Sequence, residues 1–438
     1  MNSKQIKKST SMKSERSEKG EKKNLVHMSK SLKINHKKKD SENMTNSQSF
    51  SNKIMNNTLS PIINFKKNIS SELEKEKLNK EEALNLEILN KDYPQYYNGE
   101  NSQKSFNTIK SYAFNSYHGI YKEENEDKIC VCEQIKKPPN SKSRIWPKLS
   151  FFAIFDGHGG ETCSSYLKNN FLNYLLEDKN FPIDIKASLI STIERCENEF
   201  NKKYNDDLSG SCALICVISD NKIFFCNVGD SRAIMSMDNG KKIRPLTIDH
   251  KPNNPKDYER IIKCGGKVYI DNDNPERDLT QMTVINNEKE FDKYINDPEI
   301  VYRIYPCDLA VSRTIGDLKA KKKELGGLPG QVVSTPDVYV FDNSSNLDFI
   351  IMGCDGIFDC LSNNDIIDCA WYAIQNTCKA RNNDINYISL DMCDMIIKNS
   401  MDKMSGDNLS VVIIGLEGLE KYLVNKINRE KVVKTFKK

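Results

Sequence analysis

The sequence predicts an α+β fold in which antiparallel sheet is covered on its outer faces by helices. Three observations carry this. Short apolar runs of strand length recur at residues 151–155, 213–219, 223–228, 348–354 and 411–414, and they are rich in aromatic and β-branched side chains. The second and third of these runs are joined by little more than Asp220-Asn221, a hairpin link that makes them antiparallel neighbours. Helix-length amphipathic segments at 161–176, 185–203, 255–264, 364–378 and 389–402 supply the outer layers, with Asn363 or Asn364 as a sensible N-cap for the fourth.

The most informative element is the first strand. The apolar run Phe151-Phe152-Ala153-Ile154-Phe155 stops at Asp156, and Gly157-His158-Gly159-Gly160 follows. The glycines let the backbone turn sharply and come close to a ligand. A tight turn capping a core strand explains the glycines, but not why an acid and a histidine share the turn. The same pattern repeats along the chain. The strand 223–228 runs into Gly229-Asp230-Ser231-Arg232, and 349–354 runs into Asp355-Gly356-Ile357-Phe358-Asp359. Gly406-Asp407-Asn408 precedes the strand 411–414, and Glu126-Asp127 precedes a strand-like Lys128-Ile129-Cys130-Val131-Cys132. One acid at a strand end is an ordinary turn residue; five around one sheet are a candidate metal site. Carboxylates converging without a His/Cys cluster favour Mg²⁺ or Mn²⁺ over zinc, because hard cations take oxygen ligands.

In their order these blocks resemble the metal-dependent protein phosphatases, the PPM or type-2C serine/threonine family. The resemblance extends over Ser209-Gly210-Ser211, Asn227 to Ala233, Leu246 to Pro252 with His250, Glu259-Arg260-Ile261, Gly265 to Val268, and Leu309 to Asp317. It covers roughly residues 111–415. The fold it implies is a four-layer α-β-β-α sandwich of two antiparallel sheets flanked by helices, with metals in a cleft at one edge.

The resemblance also implies a site and a reaction. Asp156 bridges two Mg²⁺ or Mn²⁺ ions and the Gly157 carbonyl binds one of them. Asp355 and Asp407 hold the first ion and Glu126 the second, while Asp127 acts through waters. A third, weaker ion takes Asp230, Asp359 and Asp355. A hydroxide bridging the ions attacks phosphorus directly, with no covalent phosphoenzyme, and His158 is the general acid for the leaving serine or threonine oxygen. His250 is expected to be structural. One departure stands out: the family has arginine four residues before the glutamate, where it clamps the substrate phosphate, and this chain has Lys122. Lysine keeps the charge and loses the bidentate fork, so weaker phosphate binding is expected. Asn125 likewise replaces a usual methionine.

Composition fits this reading. The 438 residues carry a formal net charge of only +4, which does not suggest nucleic acid, and the 14 cysteines form no zinc ladder. They read as reduced, buried thiols of a cytoplasmic or nuclear protein. No run reaches the ~18 apolar residues that span a bilayer. Residues 1–105 form a Lys/Ser/Asn-rich arm, expected to be disordered apart from a short solvated helix at 72–90; a docking helix for a partner is the alternative there. Its lysine runs read as a solubilising basic tail. Residues 106–418 are the catalytic domain, with an acid-rich surface insertion at 269–300, and residues 419–438 are a basic tail that begins as a helix. The arm and the insertion are the candidate partner contacts, and phosphoproteins are the expected substrates. A weakly active relative that binds phosphoproteins as a scaffold is the second reading, supported by Lys122 and the insertion. A phosphoester hydrolase such as a nuclease is the third, and the low charge argues against it.

Overall fold

The structure is a computed structural model that describes residues 109–139, 141, 143–271, 283–294, 300–377 and 384–436. The basic arm, with the helix expected at 72–90, lies outside the described residues.

The chain enters through β1 (Ser111–Tyr117), β2 (Lys128–Cys132), β3 (Leu149–Phe155) and the short β4 (Gly157–His158). Two helices follow, α1 (Thr162–Glu177) and α2 (Ile185–Lys203). The Asp184 side chain caps α2 by accepting from the Ala187 N–H, and Lys202 and Lys203 complement the dipole at its other end. Strands β5 (Gly210–Ser211), β6 (Ala213–Ser219), β7 (Lys222–Val228), β8 (Arg232–Met237) and β9 (Lys242–Pro245) come next. Ser219 pairs with Lys222 across the predicted two-residue turn, where Asp220 has a φ of 44°.

Helix α3 (Pro255–Lys263) starts with Asn254 as cap and Pro255 in its first turn. It leads to β10 (Lys267–Asp271), β11 (Thr283–Ile285) and β12 (Val301–Tyr305). After β13 (Ile315–Gly316) and the single-turn α4 (Leu318–Lys321) come β14 (Asp337–Asp342) and β15 (Leu347–Gly353). The chain closes with α5 (Asp355–Phe358), α6 (Asn363–Thr377), α7 (Ile385–Asp402), β16 (Leu409–Gly415) and α8 (Glu417–Phe436).

Two five-stranded antiparallel sheets form the centre, in the orders β1-β16-β15-β8-β9 and β14-β7-β6-β3-β2. The period of two in β3 decides the layering. Phe152 and Ile154 join the cluster that includes Ile350, Met352, Val412 and Ile414 of the other sheet. Phe151, Ala153 and Phe155 point the opposite way, into Leu167, Phe171, Leu189 and Ile193 of α1 and α2. The other sheet carries Trp371, Ile374, Ile396 and Ile397 of α6 and α7 on its far side. The result is α-β-β-α, as the family resemblance implied. A strand buried on both faces has to be apolar throughout, which is why the run ending at Asp156 was so legible.

Three readings need correction. The N-cap of α6 is Ser362, neither Asn363 nor Asn364: Ser362 and Asp365 exchange hydrogen bonds in a capping box. The boundary at 418 falls inside α8, because Leu419 and Leu423 are core residues and Tyr422 packs edge-on against Trp371 at 4.9 Å. The segment 269–300 is a surface insertion only in part. Tyr269 and Ile270 pair with Arg303 and Tyr302, and β11 adds a third strand. Val268, Ile270, Ile285 and Ile304 make a small core with Tyr258 and Ile261 of α3. Residues 272–282 and 295–299 lie outside the described residues.

A buried ion network fastens this smaller sheet's base to the main body. Asp257 of α3 is fully buried and accepts from Arg313 Nε at 2.9 Å and from Arg260. Arg313 also reaches Asp337 of β14 at 3.2 Å, and Asp337 receives His250 Nε2 at 3.2 Å. His250 is therefore structural, as expected. Arg313→Met leaves Asp257 partly uncompensated in the interior and is expected to lower unfolding free energy by about 3 kcal/mol, the low end for a broken buried pair because Arg260 remains. Urea titration measures it, and a loss below about 1 kcal/mol would show the network to be dispensable.

Candidate metal centre

The sheets bring their acid-bearing ends to one edge. Asp156 follows β3, Asp230 follows β7, Asp355 opens α5 directly after β15, Asp407 precedes β16, and Glu126 and Asp127 precede β2. Asp359 sits one turn further on, as the C-cap of α5. The acids are close enough to act on one another. Burial pushes the Asp156 carboxyl well above the usual carboxylate range, and Asp355, Asp127, Asp230 and Asp407 push it the same way. Asp355 is raised by burial, then by Asp230, Asp407 and Asp359. Asp127 and Asp230 are each raised to about 6, burial being the first cause in both. Every predicted carboxylate thus belongs to one electrostatic cluster or its rim.

Neutral side chains hold the acids in place. Asn408 Oδ1 accepts the Glu126 N–H at 2.9 Å, while its amide donates to the carbonyls of His118 and Glu124 at 2.9 and 3.0 Å. The acid block is thereby stapled to the loop that carries Asp407. Asn125 accepts the Asp127 N–H at 3.0 Å, a turn that a methionine cannot make. Glu126 Oε1 accepts the Gly160 N–H at 2.6 Å. Gly157 has no room for a side chain: a Cβ there would lie 2.6 Å from the Glu126 carbonyl and 2.7 Å from Ser164 Oγ. That contact is what the first glycine of the turn is for.

The cations lie at the rim. Lys122 Nζ is 3.1 Å from Asp407 Oδ1, and although burial alone would lower its pKa, Asp407, Glu126 and Asp355 raise it. The expected phosphate clamp thus rests on an expected metal ligand. His118 carried no signal in the sequence, yet its Nδ1–H donates to the Lys122 carbonyl at 2.8 Å and shapes this loop. On the other side Lys251 Nζ is 2.7 Å from Asp359 and 3.9 Å from Asp230. It lines an open polar cleft of about 380 Å³ with Arg232, Asp249 and Asn363. Arg313 is locked in the buried network and is not available to a substrate.

His158 lies beside the acids, with Nε2 2.8 Å from Asp317 Oδ2. Burial would lower its pKa, but Asp317 outweighs that and raises it. Asp317 closes a block noted in the sequence, but nothing there gave it a role. Cys212 was missed as well. Its thiol lies 3.4 Å from Asp230 Oδ1, and Asp156, Cys212 and Asp230 offer ligand atoms within 4.8 Å of one another.

The donor set fits a hard divalent cation. It is dominated by carboxylate oxygens on rigid element ends, their mutual repulsion is left largely uncompensated, and Asp127 Oδ2 is buried with no hydrogen-bond partner. A test follows from the raised pKa values. The folded state holds protons on these acids more tightly than the unfolded chain, whose Asp value is 3.8, so these groups favour the metal-free fold at low pH and lose that contribution as pH rises through about 6. A cation needs the same acids ionised. The gain in Tm on adding millimolar Mn²⁺ to metal-stripped protein should therefore grow from about pH 5 to about pH 7.5. A gain independent of pH would remove these carboxylates from the binding site.

Known proteins resemble this chain in sequence and in fold. Similar curated proteins are protein phosphatase 2C homolog 2 of Hypocrea jecorina, 28% identical over 287 residues, covering 64% of this chain and 56% of that protein, and protein phosphatase 1A of Mus musculus, 28% identical over 295 residues, covering 64% and 66%. The chain thus spans less than two thirds of the length of either relative. Among solved structures, a serine-threonine phosphatase 2C from Toxoplasma gondii matches with a TM-score of 0.51 at 20% identity, covering 70% of this chain and 94% of that one. A C. elegans sex determining protein matches with a TM-score of 0.54 at 19% identity, covering 73% and 67%. These two support the fold. The model of the protein phosphatase 2C family matches residues 112–409, and the chain belongs to that family.

Proposed function

We propose that this protein is a Mg²⁺- or Mn²⁺-dependent protein serine/threonine phosphatase that hydrolyses phosphoserine and phosphothreonine directly. The observation that carries the proposal is the single cluster made by Asp127, Asp156, Asp230, Asp355 and Asp407 with His158 beside it. The names of its relatives, protein phosphatases of fungal and mammalian origin, point to the same activity. With every expected carboxylate present, the scaffold reading rests on Lys122 and the insertion alone.

Asp156, Asp355 and Asp407 would hold one ion and Glu126 with Asp156 a second, with the Gly157 carbonyl on one of the two. Asp127 would act through water, and Asp230, Asp355 and Asp359 would take a weaker third. Ions bound there supply a nucleophilic hydroxide at neutral pH and neutralise charge on the phosphoryl oxygens. Lys122 binds a phosphate oxygen as a point charge, at the expense of its contact with Asp407. His158 gives a proton to the departing serine or threonine oxygen. The substrates are phosphoproteins, and the thiol-rich core suits the cytoplasm or the nucleus. The arm at 1–105 and the segment 269–300 are the regions proposed for partner contacts.

Steady-state kinetics on a phosphothreonine peptide test the reading. Activity should vanish in EDTA and return with Mn²⁺ or Mg²⁺, and restoration by zinc alone would contradict it. Asp156→Asn should lower kcat/KM by at least ~10³-fold, as loss of a principal electrostatic stabiliser does. Near-normal turnover in that variant would refute the ligand set. Lys122→Ala should raise KM while leaving kcat within about threefold, the signature of lost uniform binding.

A further inference from the structure

We propose that Asp317 is the positioning residue for His158: it holds the imidazole by Nε2–H and leaves Nδ1 to deliver the proton to the leaving oxygen. The inference rests on the phosphatase reading above. Its basis is a small three-stranded sheet, β13-β5-β4, whose one core side chain is Ile315. Its register sets His158 opposite Gly210 and Gly210 opposite Gly316, so three distant segments end in one row. Asp317 is the next residue along.

The local backbone is shaped around this pair. Gly316 and Asp317 are consecutive left-handed residues, with φ of 81° and 53°, and the Asp317 N–H donates to the Ser209 carbonyl at 3.0 Å. A left-handed aspartate is uncommon and persists where its surroundings require it. Its side chain is 7% exposed. Gly210 is bare for the same reason: a Cβ there would overlap both Asp317 Oδ2 and His158 Nε2. Lys321, one turn later, is engaged by Glu197 at 2.7 Å.

An ionised carboxylate only accepts hydrogen bonds, so Nε2 carries a hydrogen and the tautomer is fixed. In the doubly protonated imidazolium, the Nδ1 proton is then the one free to leave, while Nε2–H stays on Asp317. This is the acid-and-orienter arrangement used wherever an imidazole must present one chosen nitrogen. In the step, the bond from phosphorus to the serine or threonine oxygen breaks and its electron pair stays with that oxygen. The proton on Nδ1 moves to it and releases the free hydroxyl. A water-derived oxygen forms the new bond to phosphorus, and the imidazole is left neutral with Nε2–H on Asp317.

The test is the leaving-group dependence of Asp317→Asn, since asparagine tolerates the left-handed backbone. With Mn²⁺ saturating, kcat on a phosphothreonine peptide should fall about 10²-fold. On p-nitrophenyl phosphate, whose phenolate departs without a proton, the fall should stay within about threefold. Mn²⁺ affinity by calorimetry should be unchanged, and adding His158→Asn should cost little more on the peptide. Equal losses on both esters, or additive losses in the double variant, would overturn the inference while leaving the phosphatase reading intact. A wild-type protein inactive on both esters would overturn the two together. If the variant does not fold, ¹⁵N spectra of histidine-labelled wild-type protein decide: a neutral His158 protonated at Nδ1 rather than Nε2 would exclude the proposed tautomer.

Discussion

Carboxylates that repel one another cannot assemble a site by their own attraction, and the rest of this structure follows from that constraint. Asp156, Asp355, Asp230, Asp127 and Asp407 each raise the proton affinity of others in the cluster, so bringing them together costs free energy in the metal-free state. The opposing term is burial of the two sheets and their helices. Phe151, Phe152, Phe155, Phe349 and Ile350 are wholly buried, and each large apolar side chain so placed contributes about 1.5–3 kcal/mol. The acids sit at strand ends because that is where a rigid element can be made to hold a charge it would otherwise reject.

The cations around the site divide by whether they can move. Arg313 is 8% exposed and bound by Asp257, Asp337 and the Thr335 carbonyl, so its charge is committed to joining α3, β14 and the base of the smaller sheet. Lys122 is different in kind. It makes one ion pair, at 3.1 Å, with both partners around two-fifths exposed. An exposed pair of that sort is worth no more than about 1 kcal/mol, so leaving Asp407 for a phosphate oxygen is inexpensive. A lysine here holds the neighbouring acid as a single point charge, without the two parallel bonds an arginine fork could make.

The parts legible in the sequence were those whose local pattern is dictated by burial. β3, β6, β7, β15 and β16 read as strands because both faces are covered, and the helix read at 185–203 is α2 with the same bounds. The acids were legible because five of them flank apolar runs, more than turn formation alone explains. Three other features left no local trace. β4, β5 and β13 are two residues each and exist only through their pairing. Asp317 gains its meaning from a histidine 159 positions away. Cys212 looked like another small core residue, and only the tertiary structure places its thiol on Asp230. Side-chain partners brought together by topology are invisible to any argument from spacing.

The groups that hold the acid cluster are, with few exceptions, uncharged, and this follows from the same constraint. Asn408 fixes the backbone of Glu126, Glu124 and His118, and Ser164 caps the Glu126 carbonyl. Ser231 donates to Asp156 at 3.3 Å, and Asn125 turns the chain into Asp127. An arginine or lysine at each of these places would hold the geometry as firmly, and would also cancel the charge that attracts a divalent cation. Amides and hydroxyls orient carboxylates while leaving their negative potential unspent. Among the described residues, the lysines paired with these acids are Lys122 on Asp407 and Lys251 on Asp359 and Asp230, where they moderate the repulsion without filling the centre. A site that must be rigid, acidic and available to a metal has to be built from neutral donors inside and charged ones outside, and this is the distribution that the chain adopts.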